Sequence, residues 1–217
     1  FFMLILSNLA WANFDSAQII NKLQWQPQNN MCQGAFLFSA VPKPAINSKK
    51  MWNVSAQQMT LTKATAETCM QGNVQVFNVK QHIYADKICM KNTAGQIYSM
   101  ILEKPLHYQE KNLFLTAQSG RWNKENQQWK FNDGLFRFRG HHRDVYWGSH
   151  QYATVSKDTL NIKKSLFTTC AVKNPSWTLR SNRLRLEKKK GMAYAHGVTL
   201  RWGSIPLFYL PYLKFPI

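Results

Sequence analysis

The feature that most constrains this 217-residue chain is a period-two alternation of apolar and polar residues, with almost no helical periodicity. Val74-Gln-Val76, Phe136-Arg-Phe138-Arg139, Leu184-Arg-Leu186-Glu187 and Val198-Thr-Leu200-Arg-Trp202 all alternate. Each places apolar side chains on one face of an extended strand and polar or basic ones on the other. The ordinary reason for such arginines is a sheet with its apolar face inward and its charge solvated. Turn signals fall between the strands: Lys91 to Gly95, Asn123 to Gln128, Asn132-Asp-Gly134 and Lys188 to Gly191. The pattern predicts an all-β fold of short strands.

A weak repeat lies underneath. A small residue followed by a polar one ends four of the runs: Ala56-Gln57, Ala85-Asp86, Ala117-Gln118 and Ser181-Asn182. A glycine opens three others, at Gly72, Gly134 and Gly197. The alanines recur at intervals of roughly thirty residues, the length of a two-stranded unit. One such unit cannot bury its own apolar face, so several must stack. Stacked V-shaped units leave a continuous apolar groove inside and a basic exterior or rim.

Charge narrows the function. Lys and Arg number 28 against 10 acidic residues, a net charge of +18. Such a balance calls for a polyanionic partner: nucleic acid, an anionic membrane face, or a phosphorylated lipid or glycan. The chain has no Gly-rich phosphate loop, no H-E-x-x-H, no G-x-S-x-G and no C-x-x-C. His141, His142 and His150 have no acidic or Cys partner at useful spacing, so they read as polar loop residues and no metal or cofactor is expected. No Cys–His pair has nucleophile context, and no enzymatic step is expected. Aromatic residues could stack on bases, but those of the strands alternate with arginine as sheet residues do, so nucleic acid is not the favoured partner.

The ends differ from the middle. Residues 1–12 are apolar, too short to span a bilayer, and close on Ala10-Trp11-Ala12, as the end of a secretory signal peptide does. Residues 13–50 form an N-terminal extended segment containing Cys32, and 51–203 carry the strands. Residues 204–217 hold Pro206, Pro211 and Pro216, which forbid a helix interior and a central strand. That segment reads as an extended apolar connector, with more protein expected to follow. Export would let the cysteines pair. Cys69 and Cys89 flank a hairpin; a turn near Lys80-Gln81 brings them within about two residues of register. They form either a bridge or two small buried thiols.

Phe167-Thr-Thr-Cys170, then Trp177 with the Ser181 strand, Gly197, and Pro206-Leu-Phe-Tyr-Leu-Pro-Tyr-Leu-Lys-Phe-Pro-Ile217 together resemble the LPS-assembly protein LptD family, also called the organic solvent tolerance (OstA) family. Gly72-Asn-Val and Ile83-Tyr-Ala85-Asp86-Lys87 resemble its periplasmic domain, shared in outline with the LptA bridge protein. The resemblance covers roughly residues 30–217. It implies an antiparallel β-jellyroll, or β-taco, with an open apolar groove, followed by a proline-rich junction to an outer-membrane β-barrel that this chain lacks. It implies a periplasmic segment at the cell outer membrane, accepting lipopolysaccharide from an LptA-like bridge and passing it to a barrel plugged by an LptE-like lipoprotein. Cys32 and Cys170 match the two family cysteines that bond to barrel cysteines, and Cys69 and Cys89 stand outside that pattern. Pro206, Phe208, Tyr209, Pro211, Tyr212 and Pro216 match the barrel junction. With lipid A as ligand, strand parity points Trp52, Val54, Ile83, Leu113, Leu115, Phe136, Phe138 and Leu179 into the groove. The alternatives are a stand-alone LptA-like bridge and a secreted basic adaptor for acidic glycans.

Overall fold

The computed structural model describes residues 25–27, 34–36, 52–93, 96–140, 145–170 and 175–217. These hold fourteen strands and one 3-10 turn, Lys63–Thr65. β1 (Trp25–Pro27) and β2 (Gly34–Phe36) pair only with each other. The other twelve form one antiparallel sheet. β3 (Asn53–Ser55) and β4 (Gln58–Thr62) both pair with β5 (Glu67–Phe77). The sheet then runs in chain order through β6 (His82–Thr93), β7 (Gln96–Gln109), β8 (Leu113–Asn123), β9 (Gln128–Arg139), β10 (Val145–Val155), β11 (Thr159–Thr168), β12 (Trp177–Glu187), β13 (Met192–Trp202) and β14 (Ile205–Pro216). The all-β expectation holds. The proposed signal remnant, residues 1–12, lies outside the described residues.

The strands from β5 to β14 each carry an irregularity near the middle. Alternation holds on both sides of the irregularity, and its parity slips by one in β6 and in β8 to β14, whereas in β5 and β7 the steps from Met70 to Val74 and from Leu102 to Leu106 are even. In β9, Trp129 and Phe131 are buried, and so are Phe136 and Phe138. An odd step between the two pairs means that Asn132-Asp133 takes up one extra residue. Register shifts fall at the same level in β5 to β8, between Gln71 and Val74, Tyr84 and Lys87, and Glu103 and Leu106. Left-handed backbone marks Gly72, Asn73, Asp133, Lys164 and Gly197. These irregularities line up across the sheet as one crease, which divides it into two leaves. The first leaf ends at the turns 78–81 and 110–112, the second at the turns 124–127, 156–158 and 188–191.

The crease is where the sequence repeat sits. Ala85, Ala117 and Ser181 are buried on its inner side, where the leaves converge and only a small side chain fits. The polar residue after each turns to the convex side. There it meets the glycine of the next strand: a Cβ on Gly197 would lie 2.4 Å from Asn182 Nδ2, and one on Gly72 would lie 2.4 Å from Gln57 Oε1. Gln57 N also donates to Gly72 O at 3.1 Å. Asn132-Asp-Gly134, expected as a turn, is corrected by the structure: it stays inside β9 as a corner. A bulge uses the same residue types as a chain reversal, because both need left-handed backbone.

The two leaves pack face to face. Tyr108 of the first lies 5.2 Å from Phe131 and 5.9 Å from Trp129 of the second, ring centre to ring centre. Phe167 stacks on Phe215 at 5.9 Å across the same gap. The segment 204–217, expected as an extended connector, forms β14, which pairs among the described residues with β13 alone. An edge strand accommodates its prolines because one side has no partner.

Candidate functional site

Register turns the inner face into continuous apolar rows. One runs Val54–Val76–Ile83–Tyr108–Leu115–Phe136 and on through Gly148 to Phe167, Leu179, Leu200 and Phe208. Directly paired residues share a face, so this row crosses eleven strands without changing side. In the second leaf, a matching row starts at Met59–Met70–Ile88–Leu102 and ends at Leu184–Ala195–Leu213.

All eight residues assigned to the groove by parity lie on this face. Val54, Ile83, Leu115, Phe136 and Leu179 occupy the first row. Leu113 pairs with Phe138 two residues further on, and Trp52 precedes Val54 by two. Ile83, Leu113, Leu115, Phe136 and Phe138 are buried, and Trp52 and Leu179 pack partly buried against the core. Val54 faces inward by register yet is 41% exposed, because β3 is the last strand of its row. At the opposite edge Phe208 is 50% exposed. The trough is thus filled by its own side chains in the middle and bare at both ends. Between the leaves lies a narrow cleft of about 10 Å³, lined by Phe136, Phe138 and Phe167 on one side and Leu184, Leu186 and Phe215 on the other.

The second leaf's share of the lining, including Phe131 and Trp129, was missed from sequence. The signal was present as alternation in each half-strand, but the parity slip at the crease breaks it if a strand is read straight through.

Two basic residues depart from expectation. Arg137 alternates with Phe136 and Phe138 but is fully buried, so its charge is not solvated. Its guanidinium lies over the Phe114 ring at 4.5 Å. Burial, with Arg139 nearby, lowers its pKa to about 10. The outward side of the first leaf is covered here, since Phe114, Trp147 and Thr168 are buried as well. His150, expected in a polar loop, is buried at the crease, where it pairs with Gly134 in register. Its Nε2 donates to Thr116 O at 3.2 Å, and Nδ1 has no partner. His141 and His142 lie outside the described residues.

The rims of the two leaves are joined. Glu110, at the end of the first leaf, accepts hydrogen bonds from Tyr108 OH at 2.6 Å and Gln81 Nε2 at 3.1 Å. Its other oxygen pairs with Lys188 Nζ at 2.5 Å, from the β12–β13 turn of the second leaf. Lys188 also donates to Ser156 O at 3.2 Å. Burial, with the Glu110 carboxylate beside it, holds Tyr108 well above the usual phenol range.

Cys69 and Cys89 stand directly opposite in the β5–β6 ladder and form a disulfide, which decides between the two sequence readings. Glu67 stands close to both sulfurs, but a disulfide offers a metal no thiolate. Cys170 is also disulfide-bonded, and Cys32 lies outside the described residues. Pro206, Phe208, Tyr209, Pro211, Tyr212 and Pro216 are all exposed along β14. No helix among the described residues is long and apolar enough to cross a membrane.

No protein-family model matches the chain. It is 25% identical over 183 residues to the LPS-assembly protein LptD of Xanthomonas campestris, covering 82% of this chain and 21% of that protein. It is 36% identical over 70 residues to LptD of Alcanivorax borkumensis, covering 32% and 9%. The chain therefore spans about a fifth of the length of the Xanthomonas relative. Among solved structures it is similar to LptH of Pseudomonas aeruginosa, described as the LptA-homologous periplasmic component of a lipopolysaccharide transport device, with 10% identity, 76% of this chain and 94% of that one covered, and a TM-score of 0.30. By sequence, then, this chain is similar over most of its length to the LPS-assembly protein LptD of Xanthomonas.

Proposed function

We propose that the chain is a lipopolysaccharide-transport module at the outer membrane, its creased sheet holding acyl chains while sugars and phosphates stay outside. The observation that carries this reading is the pair of continuous apolar rows, which run from β3 and β4 to β14 and are bare at both ends. Each buried CH₂ is worth about 0.8 kcal/mol, so several acyl chains can be held with no directional contact and still slide along the row. Between the leaves, an acyl chain replaces side-chain contacts already made there, so entry is nearly balanced rather than trapping. The kinship with LptD supports the assignment of the ligand. On this reading the module sits in the periplasm and performs no chemistry of its own. It receives lipopolysaccharide from an LptA-like bridge protein and passes it to a barrel bearing an LptE-like lipoprotein. The β14 segment with Pro206, Pro211 and Pro216 stands at the barrel junction.

A photo-crosslinking residue at Ile83 or Leu115 tests the proposal in cells. Lipopolysaccharide adducts are expected at these positions and not at outward-facing Lys130 or Arg183. Adducts at the outward positions alone overturn it.

A further inference from the structure

The outward faces of the two leaves differ. That of the first is covered over β8 to β11. That of the second is open and carries basic residues in register. One row reads Tyr152–Lys163–Arg183–His196–Tyr212 across β10 to β14. A parallel row, two residues further along each strand, carries Lys130, Arg185 and Lys214. These lysines and arginines are exposed. Glu187 is the one carboxylate within these strand segments of the second leaf from β9 to β14, and it is paired with Arg185 at 3.2 Å and Lys190 at 2.9 Å. Asp158, in the adjoining turn, pairs with Lys189, and Asp133 stands at the crease. Lys130, Lys163 and Arg183 have no carboxylate partner among the described residues.

We propose that this face docks on the surface of an anionic phospholipid bilayer. Strands lie about 4.8 Å apart, so the row of five spans about 19 Å, and neighbouring charges fall within a Debye length of about 10 Å and act together. An array of one sign suits an extended surface of the other. Tyr152 and Tyr212, both about half exposed, frame the row with rings that are apolar in body and polar at the tip, as headgroup-level side chains are. The proposal does not rest on what the inner trough holds.

Sedimentation of the 217-residue chain with vesicles of phosphatidylethanolamine and phosphatidylglycerol tests it, because these contain no lipopolysaccharide. The chain is expected to bind them at low salt, to release in about 0.5 M salt, and to leave phosphatidylcholine vesicles unbound. Each basic side chain at an anionic surface contributes about fivefold, so the triple variant Lys130→Gln, Lys163→Gln, Arg183→Gln should bind about a hundredfold more weakly. Its circular dichroism and melting temperature should match the parent, since all three side chains are exposed. Equal binding to phosphatidylcholine, undiminished binding by the variant, or capture of a DNA duplex but not vesicles by these residues overturns the proposal.

Discussion

His150 shows how one residue is held by its neighbours' backbone. Its partner in the ladder is Gly134, where a Cβ would come within 1.8 Å of Thr116 O. That carbonyl projects into the space a side chain on residue 134 would fill, and the imidazole supplies its donor at 3.2 Å. A second proton would go to Nδ1, which is buried without an acceptor. Burial accordingly lowers the His150 pKa to about 4, against an ordinary value of 6.5, and the Thr116 bond only partly offsets it. The unfolded chain thus binds the proton first as pH falls. Stability is full above about 6.5, declines between there and about 4, and is flat below, with a total loss of up to about 3 kcal/mol from this group. Denaturant titrations across this window should show a shallower pH slope in His150→Gln than in the parent. Equal slopes would place the titration elsewhere.

At the scale of the element, the crease sets the shape of each strand. Backbone in the left-handed region costs a residue with a Cβ about 1–2 kcal/mol, and glycine almost nothing. Gly197 has φ +60° and its Cβ position is taken by the Asn182 amide. Lys164 has φ +49° at the corresponding corner of β11. Gly197→Ala should therefore lower stability by about 1 kcal/mol or more, and Lys164→Gly should raise it by up to about 1 kcal/mol. Denaturant midpoints check both; shifts of the same sign in the two variants would contradict a shared corner geometry. The repeat was legible in the sequence as small-polar pairs and glycines, but its meaning was not. A glycine after Asn-Asp reads as a reversal until the partner strands show that the chain continues straight through Asn132-Asp-Gly134.

At the scale of the molecule, two leaves of one sheet become a closed trough through contacts between parts far apart in the chain. Glu110 and Lys188 are the polar part of that closure. Both side chains are largely buried, and Glu110 satisfies Tyr108 and Gln81 at the same time. Lys188→Met should cost about 2 kcal/mol, since it leaves a largely buried carboxylate without its cation. For a chain of this size that is a fall in melting temperature of roughly 4–8 °C. A shift under about 1 °C would mean that apolar contacts between the leaves hold the seam alone. The same scale explains Arg137. Alternation correctly put it opposite Phe136 and Phe138, but only the assembled molecule covers that outward face.

The sequence by itself determined the all-β class, the inward side of the first-leaf half-strands, and the rough opposition of Cys69 and Cys89 across a hairpin. Those properties depend on side-chain parity and turn chemistry over a few residues, which a single strand or hairpin already contains. The tertiary structure alone decided that ten strands crease at one level, that the leaves meet through Tyr108, Phe131, Phe167 and Phe215, that Lys188 reaches Glu110, and which outward face stays open. Each of these requires the position of one strand relative to others many residues away. Local alternation cannot supply that, because a slip of one residue at the crease reverses its phase without changing the pattern on either side.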